Sequence, residues 1–394
     1  MQKKEMSHRA IWIYPWDLAD EGVESVISYL VKDIGINAIA LATAYHSVEH
    51  LRPRSTSGKF YRSSQASLYF EPDLSFFSGT KLRPYVNPFI KGNPILQRFV
   101  EACHKYEAKP ESWTVFLHNS YLATKNPDCA QRNVYGDIIP YALCPANPHV
   151  RAYAIGLSRN LAAIGIQIIE LESLNYMGFG HSHYHSKFGI DFGDAQSLFS
   201  FCLCQNCRKK GEDSNIDVDR MASQIQDELD DIFQTGKTSN NLEQYLEKIE
   251  GLEKFIQVRQ NVVSSLLLEI RDAVDTELNF ILMGDRVTSG LAPETISQIS
   301  DKVEILAYTS SASQMVDMIH GKYQEISSQE KLVVGYSVYG SSTPNAETLH
   351  NNVQAAIDIG VRHFSFYNYG IMPPQNLDWV KKANEIINAE PSLT

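Results

Sequence analysis

The chain has 394 residues, 43% of them hydrophobic and 21% charged, with a formal net charge of −11. Those proportions suit a chain that buries a large core. The acidic balance excludes a nucleic-acid binder, whose phosphate contacts need a basic face, and disfavours an anionic membrane surface, so neither partner is expected. The basic start is followed by a short apolar run broken by Pro15 and Asp17. That is neither a signal peptide nor a membrane span, and the expected location is cytoplasmic. In a reducing compartment the six cysteines (Cys103, Cys129, Cys144, Cys202, Cys204 and Cys207) read as thiols or metal ligands rather than disulfides.

Short apolar runs alternate with amphipathic stretches along the chain. Ala10–Tyr14 is the first run, followed by a helix over Glu21–Asp33 that Gly35 ends. Ala38–Ala44 is the second, with alanine at every second position, which suits a crowded barrel interior. Residues 46–95 are irregular, with short extra strands expected at Ser67–Phe70 and Leu82–Val86 and a helix from Pro94. Trp113–Leu117 is the third run, then a loop to Asn147 and a helix over Pro148–Ala163. Ile166–Leu171 is the fourth run; helical patterns follow at 216–235 and 241–275. Leu278–Met283, Val303–Ala307, Leu332–Val338 and His363–Tyr367 complete the series, with helices between them.

Eight strand–helix units predict an α/β fold, a (β/α)8 TIM barrel spanning 1–394 as one domain. Its long insertions lie at about 46–95, 118–147 and 173–275, after strands two, three and four. Loops that follow barrel strands build active sites.

Phe201–Cys207 carries a C-x-C-x-x-C spacing, close enough for three thiolates to share a soft cation. Structural zinc needs a fourth ligand, from Cys103, Cys129, Cys144 or one of His181, His183 and His185. The stretch Cys144-Pro145-Ala146-Asn147-Pro148-His149-Val150-Arg151, then Glu172, then Cys202, Cys204 and Cys207 resembles the order of motifs in the glycoside hydrolase family 42 β-galactosidases. The resemblance implies a structural Zn2+ held by Cys144, Cys202, Cys204 and Cys207. It also implies a general acid/base role for Glu172. The chain departs from that family at two points. Leu171 replaces an Asn, and strand seven, Gly335-Tyr336-Ser337-Val338-Tyr339-Gly340, ends without the family's nucleophilic carboxylate.

Alternation along the fourth strand puts Ile168, Glu170 and Glu172 on one face, aimed into the barrel. Burial raises a carboxyl's pKa, which is what a general acid needs near neutral pH. Glu172 is therefore the leading catalytic candidate and Glu170 a deeper support. Asp285, at the end of the fifth run, is the expected second carboxylate for glycoside hydrolysis. Glu304 opens the sixth run and is expected at the opposite, stability face. Strand ends also supply a substrate-binding set: Asp17, His46, His118, Asn119, Arg286, Tyr308, Tyr336, Tyr339, Tyr367 and Asn368, with His181 in the loop past Glu172. The expected activity is cleavage of a small glycoside or oligosaccharide, its carbohydrate substrate being the one partner required; homo-oligomerisation is left open. Two rivals remain. One is a metal-assisted hydrolase or lyase using His181, His183 and His185, and the other a non-catalytic sugar-binding barrel.

Overall fold

The computed structural model describes residues 7–180, 187–238 and 240–389. Eight parallel strands pair in chain order: β1 (Arg9–Ile13), β2 (Ala38–Tyr45), β3 (Lys109–Val115), β4 (Ile168–Glu172), β5 (Glu277–Ile281), β6 (Lys302–Leu306), β7 (Leu332–Ser337) and β8 (His363–Tyr367). The sheet closes because β1 pairs with both β2 (Ala10 opposite Ala38) and β8 (Ala10 opposite Ser365). This is the predicted (β/α)8 barrel. Closure leaves no free edge and sends alternate side chains inward and outward.

The outward set (Ile11, Ile39, Leu41, Ile169, Leu171, Leu278, Phe280, Val303, Val334, Tyr336, Phe364 and Phe366 among them) joins the apolar faces of the surrounding helices in one core. Asn147 starts the helix Pro148–Ile164 by accepting the His149 and Val150 amides, and Gly165 ends it at φ 104°. The expected helix over Glu21–Asp33 runs from Val23 to Tyr29 and on through a π-helical turn, Leu30–Ile34, to Gly35 at φ 86°; Gly22, at φ 89°, separates it from a short, unexpected helix, Pro15–Glu21. Ser67–Leu68 pairs antiparallel with the end of β2, whereas Leu82–Val86 contributes only a bridge from Val86. The insertion after β4 carries the helices Gln205–Asp213, Val218–Thr235, Leu242–Lys248 and Leu252–Ala273. Among the described residues no helix is long and apolar enough to cross a membrane.

β3 begins four residues before its apolar run, at Lys109. Its first half is polar because Glu111 sits inside the barrel, fully buried. The upper interior is aromatic: Trp12, Tyr14, Tyr45 and Trp113 pack with Ala40, Ala42 and Ile281. The β2 alanines leave the width that two indoles need.

Helix Pro148–Ile164 also approaches the Leu74–Phe77 turn closely at Gly156, where a Cβ would lie 2.4 Å from the Phe76 carbonyl oxygen. Alanine normally gains about 1 kcal/mol over glycine within a helix. Here Gly156→Ala is expected to lower stability by about 1–3 kcal/mol through backbone displacement. A urea unfolding curve checks this; an unchanged or raised midpoint would contradict the close approach.

Candidate active site and cysteine centre

Glu172 ends β4, partly exposed at the C-terminal mouth of the barrel. The Trp113 indole N–H donates to its Oε2. Burial pushes its carboxyl up to about 7; the Trp113 hydrogen bond opposes this, and the charge of Glu304 adds to it. Tyr45, Tyr308 and Tyr367 all lie within electrostatic reach of Glu172. Tyr367 stands edge-on to Trp113 at 5.7 Å and to Trp12 at 5.4 Å. The Tyr14 hydroxyl sits 3.2 Å from that of Tyr45 and 3.1 Å from that of Tyr367. Tyr308 and Tyr339 flank Tyr367 at 6.1 and 6.2 Å, and Tyr308 is 39% exposed, at the rim. The mouth is thus an aromatic bowl with one partly exposed carboxyl.

Beneath it lies a layer of buried acids. Glu170 accepts the Trp12 indole N–H at 2.5 Å. Glu304 is central on β6 and fully buried, not at the far face, and accepts from Ser365 Oγ and from Asn279 Nδ2. Its expected place follows from opening the strand at Val303; the strand starts at Lys302, which leaves Glu304 mid-strand, opposite Ile281 and Val333. Below, Glu111 lies 3.4 Å from His8, and Lys302 and Lys109 both pair with Glu277.

The structure separates several predicted site residues from this bowl. Asp285 is exposed, and its carboxylate accepts from the Val287 and Thr288 amides and the Thr288 hydroxyl, closing its own turn. It borders a different cavity of about 430 Å³, lined also by Phe179, Asp194, Gln196 and Ser200. Arg286 pairs with Glu253 at the surface. Tyr336 points outward, its hydroxyl donating to the Asn352 carbonyl, because alternation gives the interior to Gly335 and Ser337. Asn119 caps the helix Ser120–Lys125. Asp17 is buried against Gly370 and accepts the Tyr14 amide. Burial pushes it up to about 8. Asn368 is fully buried and accepts the Gly370 amide. His46 stacks on His118 at 4.8 Å beside Tyr45. His181, His183 and His185 lie outside the described residues. The residues that build the bowl and its floor without having been singled out are Trp12, Tyr14, Tyr45, Trp113 and Glu111. Alternation in Glu111-Ser112-Trp113-Thr114-Val115 is the signal that finds the last two.

The four cysteines Cys144, Cys202, Cys204 and Cys207 converge, all buried, with sulfurs within 4.8 Å of one another. Cys144 Sγ lies 3.4 Å from Cys207, 3.5 Å from Cys204 and 3.9 Å from Cys202. The Arg132 amide donates to Cys202 Sγ, and the Tyr176 hydroxyl lies 3.4 Å from Cys207 Sγ. Hydrogen bonds from the other three thiols hold Cys204 well below the usual thiol range.

Solved structures share this architecture. The α-L-fucosidase isoenzyme 2 of Paenibacillus thiaminolyticus superposes with a TM-score of 0.57 at 11% identity, over 98% of this chain and 50% of that one. The Group IV chitinase of Ostrinia furnacalis gives 0.50 at 9% identity, over 98% and 100%. The structural neighbours are glycoside hydrolase-type TIM barrels. At these identities the likeness is one of fold, and the chain spans half the length of the fucosidase. No protein-family model and no curated protein matches the chain.

A carboxyl raised from 4.5 to about 7 makes the folded state bind a proton that the unfolded chain releases. Its stabilising contribution is complete below the unfolded pKa and is lost as pH rises through about 7. Glu172→Gln keeps an acceptor for Trp113 and never ionises. It is expected to stabilise the fold by about 1–3 kcal/mol at pH 8, the gain fading towards pH 4. Denaturant melts at the two pH values measure this; equal effects at both would show an ordinary, solvated carboxylate.

Proposed function

We propose that the chain is a glycoside hydrolase acting on a small glycoside or oligosaccharide, with Glu172 as proton donor to the glycosidic oxygen. The observation that carries this reading is a single carboxyl, pushed up to about 7, at a β4 strand end inside an aromatic bowl. A general acid near neutral pH needs that protonation. The electron-rich rings of Tyr308, at the rim, and half-buried Tyr367 suit the positive charge that develops on the sugar ring. The neighbours' fold adds support, since the fucosidase and the chitinase are glycosidases by name.

Glu172 transfers its proton to the leaving oxygen. The carboxylate regains one from the water that completes the cleavage. β7 presents Gly335 and Ser337 inward, so a glycosyl ester on that strand forms no part of the reading. Asp285 is assigned to its turn rather than to the chemistry.

The same reading gives Cys144, Cys202, Cys204 and Cys207 one structural Zn2+. Tetrahedral zinc with bonds of about 2.3 Å spaces its sulfurs about 3.8 Å apart, close to the 3.4–3.9 Å from Cys144 to the other three, all four lying within 4.8 Å of one another. Four thiolates leave no open position, so the metal supplies cross-linking alone. It ties the loop after β3 to the insertion after β4, and Tyr176 carries the tie to the segment that follows Glu172.

On a panel of aryl glycosides, Glu172→Gln is expected to lose about 100- to 10,000-fold in kcat/KM, while Asp285→Asn loses less than about tenfold. An inactive wild-type protein across the panel, or an active Glu172→Gln, would overturn the assignment. Elemental analysis is expected to find one zinc per chain, absent from Cys204→Ser, which should also melt at lower temperature; metal-free wild-type protein of unchanged melting point would refute the centre.

A further inference from the structure

The barrel interior holds three carboxyls that no bulk water reaches: Glu111 and Glu304 at 0% exposure and Glu170 at 1%. The groups facing them can be named strand by strand. They are His8 just before β1, Lys109 on β3, Glu172 on β4, Glu277 on β5, Lys302 on β6, Tyr308 just past β6 and His363 on β8; β2 and β7 present none. Lys109 and Lys302 are both committed to Glu277 at the lower end. The interior therefore has too little positive charge for three carboxylates.

Hydrogen-bond donors decide where the charge rests. Glu304 has a donor on each oxygen, Ser365 on one and Asn279 on the other. Glu170 has one donor, Trp12, and its Oε1 has no donor among the described residues. Glu111 has His8 Nε2 at 3.4 Å and draws on Asn279, whose amide also serves Glu304. Gly335 also belongs to this arrangement: a Cβ there would lie 2.9 Å from Glu304 Oε1 and 3.1 Å from Trp12. Strand seven gives up a side chain at the level where the β6 carboxylate and the indole fill the barrel.

We propose that Glu170 and Glu304 share one proton, held by Glu170, and that the one negative charge left on the pair adds to burial in holding Glu172 in its acid form. Glu304 and Glu170 are then positioning residues that act through Glu172. The consequence for turnover rests on the reading of Glu172 as proton donor; the protonation pattern itself does not.

The test is a titration. Protein labelled at the glutamate carboxyl carbons is followed by 13C NMR, with the Glu172 signal assigned by its loss in Glu172→Gln. Glu304→Gln fits the same space, because Asn279 Oδ1 has no partner and can accept the new amide once the Asn279 amide turns over. Alone it lets the shared charge move to Glu170; combined with Glu170→Gln it removes that charge and is expected to lower the Glu172 midpoint by about 1 pH unit. Glu170→Gln alone mimics the protonated acid and should leave that midpoint within about 0.5 unit. An unmoved midpoint in the double variant, or an equal drop in Glu170→Gln alone, overturns the proposal. Should the double variant fail to fold, infrared spectra of the wild type and Glu170→Gln decide. A protonated-carboxyl band that survives above the Glu172 titration and is lost in Glu170→Gln supports the shared proton; no difference refutes it. Neither readout uses turnover, so glycosidase activity stands or falls separately.

Discussion

Ionising a carboxyl inside a closed barrel costs several kcal/mol unless donors converge on it, and that cost organises the centre of this molecule. Closure forces every second residue inward, so Glu111, Glu170 and Glu304 cannot reach water. Ser365 and Asn279 settle on Glu304, Trp12 on Glu170 and Trp113 on Glu172. The indoles act twice, as donors to acids and as the walls of the bowl above them. The alanines of β2 and Gly335 of β7 are the complementary requirement, since small residues opposite leave room for those rings. Burial and the Glu304 charge in the layer beneath it both raise the Glu172 carboxyl.

The loops around Glu172 are held by a second set of constraints. Arg259 is buried, with its guanidinium donating to the carbonyls of Ser200, Val287 and Thr288 and lying over the rings of Tyr176 and Phe201. A buried cation without a carboxylate partner is tolerable when carbonyl dipoles and aromatic faces surround it. It joins the loop after β5 to the insertion after β4, beside the cysteine centre, which joins that insertion to the loop after β3. The Asp285 turn belongs to the same construction. The loops after β3, β4 and β5 are thereby tied to one another around the segment that follows Glu172.

Much of this was legible in the chain. The eighth strand lies at His363–Tyr367 as expected, and β1 differs by a single residue at each end, because apolar runs mark strands whose neighbours are apolar. β3 was displaced because Lys109–Ser112 is polar, and polarity within a barrel looks like a loop when hydrophobicity is the only guide. Glu304 was set at the wrong end for the same reason. Tyr336 shows the converse: an aromatic at a strand end reads as a binding residue until alternation is counted from Gly335. Asp285 and Arg286 do follow a strand, but Gly284, at φ 106°, turns the chain, so both side chains leave the mouth. The cysteine spacing specifies three neighbours, the order of motifs adds Cys144, and the fold brings the four together.

The central claim is that the barrel places a neutral carboxyl of β4 against a glycosidic oxygen. A crystal structure of Glu172→Gln with an uncleaved oligosaccharide tests it directly. The account predicts a sugar seated among Trp113, Tyr308 and Tyr367, with the bridging oxygen about 2.6–3.2 Å from the Gln amide. A saccharide bound elsewhere, or one whose bridging oxygen faces away from residue 172, would contradict it.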